Sequence, residues 1–385
     1  MHKKTLVLTE NFPPLSGGSG RWFWELYSRL PREDYLVVAD DTAEASDFDK
    51  THELNIIRMP LKSAEWGFRS WAGLKFYARC VMRLRKLIKQ HGITHIHTGR
   101  VIHEGVTAWL LSLITNVKYV SYVHGEDVET AATSGEHNLM VKFVCKGASA
   151  IICNSFNSAN IVKRLCYADD DKISVLHPGV DANVFVPTEV DLGFKQEMGW
   201  HDKKIIITVG RLQQRKGQDK MIEAMPEILK HEPNVIYAVI GRGECKEQLQ
   251  DLIKKHQLED SVQLLDEISD EQMIKCYQQC DLFILPNRTI GNDIEGFGMV
   301  LVEAQACQKP VVAGNSGGTK ETMRINESGK VIDCTNTSII TNCITELLSS
   351  QEKREEMGRI GRKHVEDELD WSAHVVKAKR LFDSI

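Results

Sequence analysis

Ile205-Ile-Ile-Thr-Val-Gly-Arg-Leu-Gln-Gln-Arg-Lys-Gly217 decides the architecture of this chain. Its first five residues make a short, nearly continuous apolar run, and a helical pattern follows from Gln218 to Lys230. An apolar run without alternation, bounded by a turn and a helix, predicts a strand buried on both faces of a parallel sheet. The pattern repeats downstream, with strands expected near 235–240, 262–265, 282–285, 310–313 and 329–332. It also runs upstream, near 5–9, 36–38, 56–58, 95–97, 117–123, 150–153 and 173–176. Helical patterns lie between, such as 76–89 and 246–256. Two such series, each opening on its own strand, predict two doubly wound Rossmann-like α/β domains. The break falls in Asp181 to Gly193, a stretch without a regular period that contains Pro187. The expected domains are therefore 1–184 and 185–369, with a final helix over 370–385 returning to the first.

Composition narrows the possible roles. A chain of 385 residues exceeds one small core and fits two domains. A net charge of −5 gives no support for nucleic-acid binding over the whole surface. The ten cysteines form no C-x-x-C pair, and Cys276 and Cys280 lack a second ligand pair, so no zinc site is expected. They read as buried free thiols in a reducing compartment. No apolar run reaches the roughly 18 residues of a membrane-spanning helix, and Leu6-Val7-Leu8 is too short for a signal peptide. The expected location is cytoplasmic, with a peripheral place at the inner face of the membrane left open.

Asn292-Asp-Ile-Glu-Gly-Phe-Gly-Met-Val-Leu-Val-Glu303 sets Glu295 and Glu303 eight positions apart around a Gly-Phe-Gly turn. The run from Phe297 to Gln305 reads as the start of a helix, whose rise over eight residues is about 12 Å. Carboxylates so separated hold hydroxyls at two distant points on an extended ligand. Gly296 and Gly298 allow close backbone approach, and a helix start suits an anion. Hydroxyl, phosphate, hydroxyl is the outline of a nucleotide diphosphate sugar. Read alone, the two carboxylates are equally at home on a solvated helix.

Other candidates fall at the carboxyl ends of strands, where open α/β sheets bind ligands. After the first strand comes a glycine-rich loop with Gly17, Gly18 and Gly20, which lacks the Gly-Lys-Ser/Thr of a P-loop. Tyr122-Val-His-Gly-Glu-Asp127 places His124 at a strand end. Such a histidine suits a sugar hydroxyl or the reacting carbon, and suits equally a structural bond to a backbone carbonyl. His95, His97 and His103 lack metal-ligand spacing and receive no catalytic role. Arg211 and Lys216 are two cations beside a helix start, as a diphosphate leaving group requires. Gly241-Arg-Gly-Glu244 and Ser316-Gly-Gly-Thr-Lys-Glu321 are further turns of the same kind.

In this order the elements resemble the retaining GT-B glycosyltransferases of glycosyltransferase family 4 over nearly the whole chain. The resemblance rests on Pro13-Pro14 with Gly17-Gly18, His124-Gly125, His177-Pro-Gly-Val-Asp181, Gly210-Arg211 with Lys216-Gly217, Glu295 through Glu303, Ser316-Gly-Gly with Glu321, and Gly361-Arg362 with Trp371. The phosphatidylinositol-mannoside type mannosyltransferases, which use GDP-mannose, look nearest. The resemblance implies two Rossmann-like domains facing a central cleft. It implies that Arg211 and Lys216 neutralise the diphosphate, Glu303 holds the ribose, and Glu295 and His124 hold the sugar. Backbone amides of Phe297, Gly298, Met299 and Val300 would contact sugar and phosphate, Gly18 the phosphate, and Ile268, beside Glu267, the base. No metal or other cofactor is required. Two departures bear on the base and diphosphate contacts: Asp266 stands where the family often has Gly, and Lys320 precedes Glu321 where Pro is usual.

The implied reaction moves a hexose from GDP-mannose or a UDP-sugar to a glycan or lipid-linked acceptor, in surface polysaccharide, lipopolysaccharide or glycolipid synthesis. A GT-B epimerase and a non-catalytic nucleotide-sugar binder are the alternatives. The stretch from Ala64 to Gln90 carries seven Lys and Arg against Glu65 alone, with Trp66, Phe68 and Trp71 near its start. This is a solvated face over an apolar stripe, or a surface for anionic lipid.

Overall fold

The computed structural model describes residues 3–385 apart from Ser16, Cys166 and Glu267. Ser16 of the glycine loop, Cys166 among the thiols and Glu267 beside Ile268 thus lie outside the described residues. The chain divides into two compact units. One runs from the N-terminus to Pro178 and takes in His374–Ile385; the other is Gly179–Ala373.

The first unit holds β1 (Thr5–Thr9), β2 (Tyr35–Ala39), β3 (Ile56–Arg58), β4 (His95–Thr98), β5 (Lys118–Val123), β6 (Ala150–Cys153) and β7 (Ile173–Val175). They form one sheet in the order β3-β2-β1-β4-β5-β6-β7. Every neighbouring pair is parallel, with Leu6 opposite Leu36 on one side and Ile96 on the other. The second unit holds β8 (Lys204–Val209), β9 (Val235–Ile240), β10 (Val262–Leu265), β11 (Leu282–Leu285), β12 (Val311–Gly314) and β13 (Gly329–Ile332). Its order is β10-β9-β8-β11-β12-β13, again parallel. Strand order reverses between β1 and β4 and between β8 and β11, so each sheet has a crevice at its carboxyl edge there.

The reading of β8 as doubly buried is met residue by residue. Ile205, Ile207 and Val209 join one apolar cluster, while Ile206 joins the cluster on the opposite face. Period two sends alternate side chains to opposite faces, so both faces need helices and neither can be polar. The helix at Trp71–His91 starts five residues ahead of the expected 76. Ser70 caps it by accepting from Gly73 N–H at 2.9 Å. The early turn was hidden because Trp71, Ala72, Leu74 and Lys75 are all exposed and carry no apolar period. The described cysteines are all free thiols.

From His374 onward the last helix, Trp371–Ser384, belongs to the first unit. Trp22 Nε1 donates to His374 Nε2 at 3.0 Å. His374 Nδ1 must then carry the proton that binds the His177 carbonyl at 2.7 Å.

Candidate active site

In the second unit the loop after β8 ends in a short turn, Gln214–Lys216, and then Gly217 at φ +75°. A Cβ at Gly217 would stand 1.8 Å from the Pro286 carbonyl oxygen, so only glycine lets this loop lie on the end of β11. Arg288 secures the contact. Its N–H donates to the Arg215 carbonyl at 2.8 Å, and its guanidinium takes Asp219 in a fork of 2.7 and 2.8 Å.

That anchoring aims two cations at one carboxylate. Lys216 Nζ lies 2.5 Å from Glu295 Oε2, and Arg215 Nη1 lies 2.7 Å from the same oxygen. Arg215 Nε also pairs with Asp293 at 2.9 Å. Both Lys216 and Glu295 are buried. Burial pushes the Glu295 carboxyl up, but Lys216 and Arg215 outweigh it and hold the group below the usual carboxylate range. Its backbone is gripped as well: Gly318 N–H donates to the Glu295 carbonyl at 2.9 Å. A Cβ on Gly317, at φ +59°, would fall 1.9 Å from that oxygen. This is why the Ser316-Gly-Gly turn is built from glycine.

Arg211 is different. Its guanidinium is exposed and has no ion pair among the described residues. The two cations read from sequence thus differ in availability. The charge of Lys216 is matched by Glu295, and that of Arg211 is open to an incoming anion.

Glu295 is not on a helix. The helix begins at Met299, with Gly298 as its cap at φ +99°, and ends at Ala306. The expected start at Phe297 is therefore corrected, and the rise of a helix does not measure the Glu295–Glu303 separation. Gly298 is the reason: its left-handed backbone turns the chain out of the helix. The first-turn N–H groups of Met299 and Val300 have no intrahelical acceptor. Gly296 is half-buried and Phe297 is buried among the core residues. Glu303 is buried within the helix, and Tyr277 Oη donates to its Oε2 at 2.7 Å. Ile268 packs half-buried just ahead of the helix Asp270–Gln279, which Ser269 and Gln272 close with a capping box. Beside it, Asp266 pairs with Lys246, and its carbonyl accepts from Arg242 Nε at 2.6 Å.

Gly18 and His124 belong to the first unit. Gly18 opens the helix Gly18–Tyr27. His124 is buried, with Trp22 and Phe23 edge-on to its ring at 5.8 and 6.4 Å. Its Nε2 lies 2.8 Å from the Gly99 carbonyl. A carbonyl can only accept, so Nε2 carries the proton and Nδ1 keeps a lone pair for a hydroxyl donor. Burial pushes the ring's pKa down, which favours the neutral form. The structural reading of this residue is met at Nε2, which is bound to a backbone carbonyl.

Sequence reasoning missed several members. Arg215 sits next to Lys216, and that adjacency was the available signal. Arg288 follows β11 directly, so a strand-end search would have found it. Glu104 had no signal. It is fully buried, and its Oε1 accepts from Glu10 N–H at 2.5 Å. Burial pushes its carboxyl up to about 8.

Comparison with known proteins follows the same division. The family description "Glycosyltransferase Family 4" matches residues 16–184, and "Glycosyl transferases group 1" matches 194–364. The chain is 28% identical over 381 residues to the GDP-mannose-dependent monoacylated alpha-(1-6)-phosphatidylinositol monomannoside mannosyltransferase of Corynebacterium glutamicum, covering 96% of this chain and 95% of that one. It is 27% identical to the GDP-mannose-dependent alpha-(1-6)-phosphatidylinositol monomannoside mannosyltransferase of Mycolicibacterium smegmatis, covering 98% and 97%. Among solved structures it resembles Anabaena HepE in complex with UDP and glucose, with a TM-score of 0.82, 20% identity and full coverage of both chains. Sucrose-phosphate synthase from Thermosynechococcus elongatus also gives 0.82, at 19% identity and 99% of each chain. At these identities the structural likeness carries the fold.

Proposed function

This chain is a GT-B glycosyltransferase of family 4, and from that premise we propose that it moves a hexose, with retention, from GDP-mannose or a UDP-sugar to a glycan or lipid-linked acceptor. The observation that carries the reading is the arrangement at the end of β8. An ionised Glu295 is held rigid by Lys216 and Arg215, and Arg211, two residues past the end of β8, stands exposed. In the proposed reaction Arg211 and Lys216 neutralise the departing diphosphate, aided by the first-turn amides at Met299 and Val300. Glu303 takes the ribose and Ile268 lies against the base. Glu295 and the Nδ1 of His124 hold sugar hydroxyls, and Gly18 approaches the phosphate. The acceptor hydroxyl attacks the anomeric carbon on the face that the diphosphate leaves. Fixed cations and amides do the electrostatic work, so no divalent metal is required.

The proposed setting is surface polysaccharide, lipopolysaccharide or glycolipid synthesis at the cytoplasmic side of a membrane. Among the described residues no helix is long and apolar enough to cross one. A peripheral hold is supported by the helix Trp71–His91, which contains no acidic residue and exposes Lys75, Arg83, Arg85, Lys86 and Lys89. Trp71 is 86% exposed and is the outward anchor. Phe68 instead packs on Tyr77, with ring centres 5.0 Å apart.

Incubation with labelled GDP-mannose and UDP-sugars tests the reaction, with transfer or slow donor hydrolysis expected and full activity retained in EDTA. Donor isomerisation without release of nucleotide diphosphate, or binding without turnover, contradicts it. Loss of activity in EDTA with rescue by Mg²⁺ contradicts the metal independence. Sedimentation with anionic vesicles, reversed by salt and by Arg83→Glu/Arg85→Glu, tests the membrane hold.

A further inference from the structure

A cavity of about 520 Å³ opens in the first unit, lined among others by Ser63, Glu65, Trp66, Arg69, Glu136 and His137. Its size falls within the roughly 300–1,000 Å³ of small-molecule sites. Its walls are built rather than incidental. The loop that forms it is tied to the helix Gly135–Gly147 by Arg69 N–H donating to Glu136 Oε1 at 2.9 Å. Gly67 lies directly against the Glu136 carboxylate, where an added Cβ would stand 2.8 Å from Oε2.

Trp66 is fixed at both ends. Tyr77 Oη donates to its carbonyl at 2.9 Å, and its ring lies flat on His103, with centres 5.4 Å apart and planes 20° apart. His103 is itself buried and braced edge-on by Phe76 at 5.0 Å. An indole with one face covered and its body locked presents the remaining surface in a fixed orientation. Trp66 keeps 37% of its surface exposed, and it lines the cavity. Around it are groups without side-chain partners among the described residues: the Arg69 guanidinium and the His137 ring. Glu136 Oε2 is a free acceptor beside them.

This lining selects a chemistry. An acyl chain needs continuous apolar walls, and here Glu65, Arg69, Glu136 and His137 interrupt the apolar surface that Ala64 and Trp66 provide. A lone phosphate needs an excess of cations, and Glu65 and Glu136 oppose Arg69. A pyranose ring has an apolar C–H face and a rim of hydroxyls, each both donor and acceptor. An aromatic plane beside mixed donors and acceptors matches both parts.

We propose that this cavity is a carbohydrate subsite that receives a pyranose ring of the acceptor, with Trp66 as its stacking platform and Arg69, Glu136 and His137 as its hydroxyl partners. The inference rests on the reading of the chain as a sugar transferase and adds the class of acceptor: a glycan portion is gripped directly, whether or not a lipid carries it.

The test is binding of the full chain, with GDP and UDP present to occupy the donor site, to a panel of immobilised mono- and oligosaccharides. Phosphatidylglycerol vesicles without glycan form the second arm. Wild type is expected to bind at least one glycan, Trp66→Ala to lose about tenfold or more, and Trp66→Phe to lose less. Arg69→Ala/His137→Ala, which removes no side-chain bond of the fold, should weaken the same glycan and covers the case in which Trp66→Ala does not fold. Absence of glycan binding by wild type overturns the proposal, as does equal binding by the wild type and the folded variants. Loss of vesicle binding by Trp66→Ala with glycan binding intact also overturns it, in favour of a lipid contact. Failure of the transferase reading appears separately, as absence of GDP and UDP binding in calorimetry.

Discussion

Replacing Glu295 by Gln probes the ion cluster at the end of β8 directly. The substitution keeps shape and one acceptor oxygen but removes the charge that Lys216 and Arg215 share at 2.5 and 2.7 Å. Opposite unit charges about 3 Å apart attract by roughly 5 kcal/mol at an effective dielectric near 20, and desolvation offsets much of this. Removing one partner is more costly than the net worth of the pair, because a buried Lys216 is left unmatched, at about 3–5 kcal/mol. Arg215 retains Asp293, so the lower end, about 3 kcal/mol, is expected. For a domain of this size that corresponds to roughly 6–12 °C of melting temperature.

The same reasoning sets the sign of the ligand response. Unmatched cations favour an anion, so GDP or UDP should raise the melting temperature of the variant more than that of wild type, while transfer falls. The double replacement Lys216→Met/Glu295→Leu should recover stability without recovering activity. Acid titration adds a check. The Glu295 pKa is depressed in the fold, so its stabilisation is complete above the ordinary value of 4.5 and is lost as pH falls through the depressed one. The gap between wild type and variant should close below that range. Scanning fluorimetry with and without nucleotide and calorimetry at neutral pH are the assays. A Glu295→Gln protein that melts with wild type refutes the cost assigned to an unmatched Lys216. One that has lost nucleotide binding refutes the assignment of Glu295 to the sugar.

Three further outcomes are expected. Arg211→Ala should lower kcat/KM by about 2–4 kcal/mol equivalent with little change in melting, since its guanidinium supports no contact of the fold; unchanged turnover removes it from the site. Glu303→Ala should weaken nucleotide diphosphate binding and also destabilise by about 1–3 kcal/mol, because the Tyr277 hydroxyl loses its buried acceptor; Glu303→Gln should restore the stability alone, which calorimetry and melting separate. Glu104→Gln should flatten the pH dependence of stability. With its folded pKa raised to about 8 from 4.5, the wild-type carboxyl favours folding fully below 4.5 and loses that contribution as pH rises through 8. The variant should gain up to about 5 kcal/mol relative to wild type at alkaline pH, and parallel melting curves from pH 5 to 9 would refute a buried protonated Glu104.

Sequence alone determined the elements and their class. Apolar runs such as Ile205–Val209 have no polar face, and a strand of that kind can only sit inside a parallel sheet with helices on both sides. Glycine spacing marked the turns at Gly217, Gly298 and Gly317 because those backbones exclude a Cβ, a local requirement written in one residue. Strand ends therefore told where Arg211 and Lys216 would stand in the second unit and His124 in the first. Partners were another matter. Whether Lys216 stays free or pairs depends on the chain returning through Pro286 and Glu295, some 80 residues later. That choice is made by burial and by competing charges, neither of which has a local pattern. The same holds for Glu104, ordinary in sequence and shifted upward because the fold buries it, against the opposing pull of the Glu10 N–H bond. It holds for Trp66, whose stacking on His103, some 37 residues later, has no local signal. Periodicity encodes which face a residue turns to. What meets it there is set by the fold as a whole.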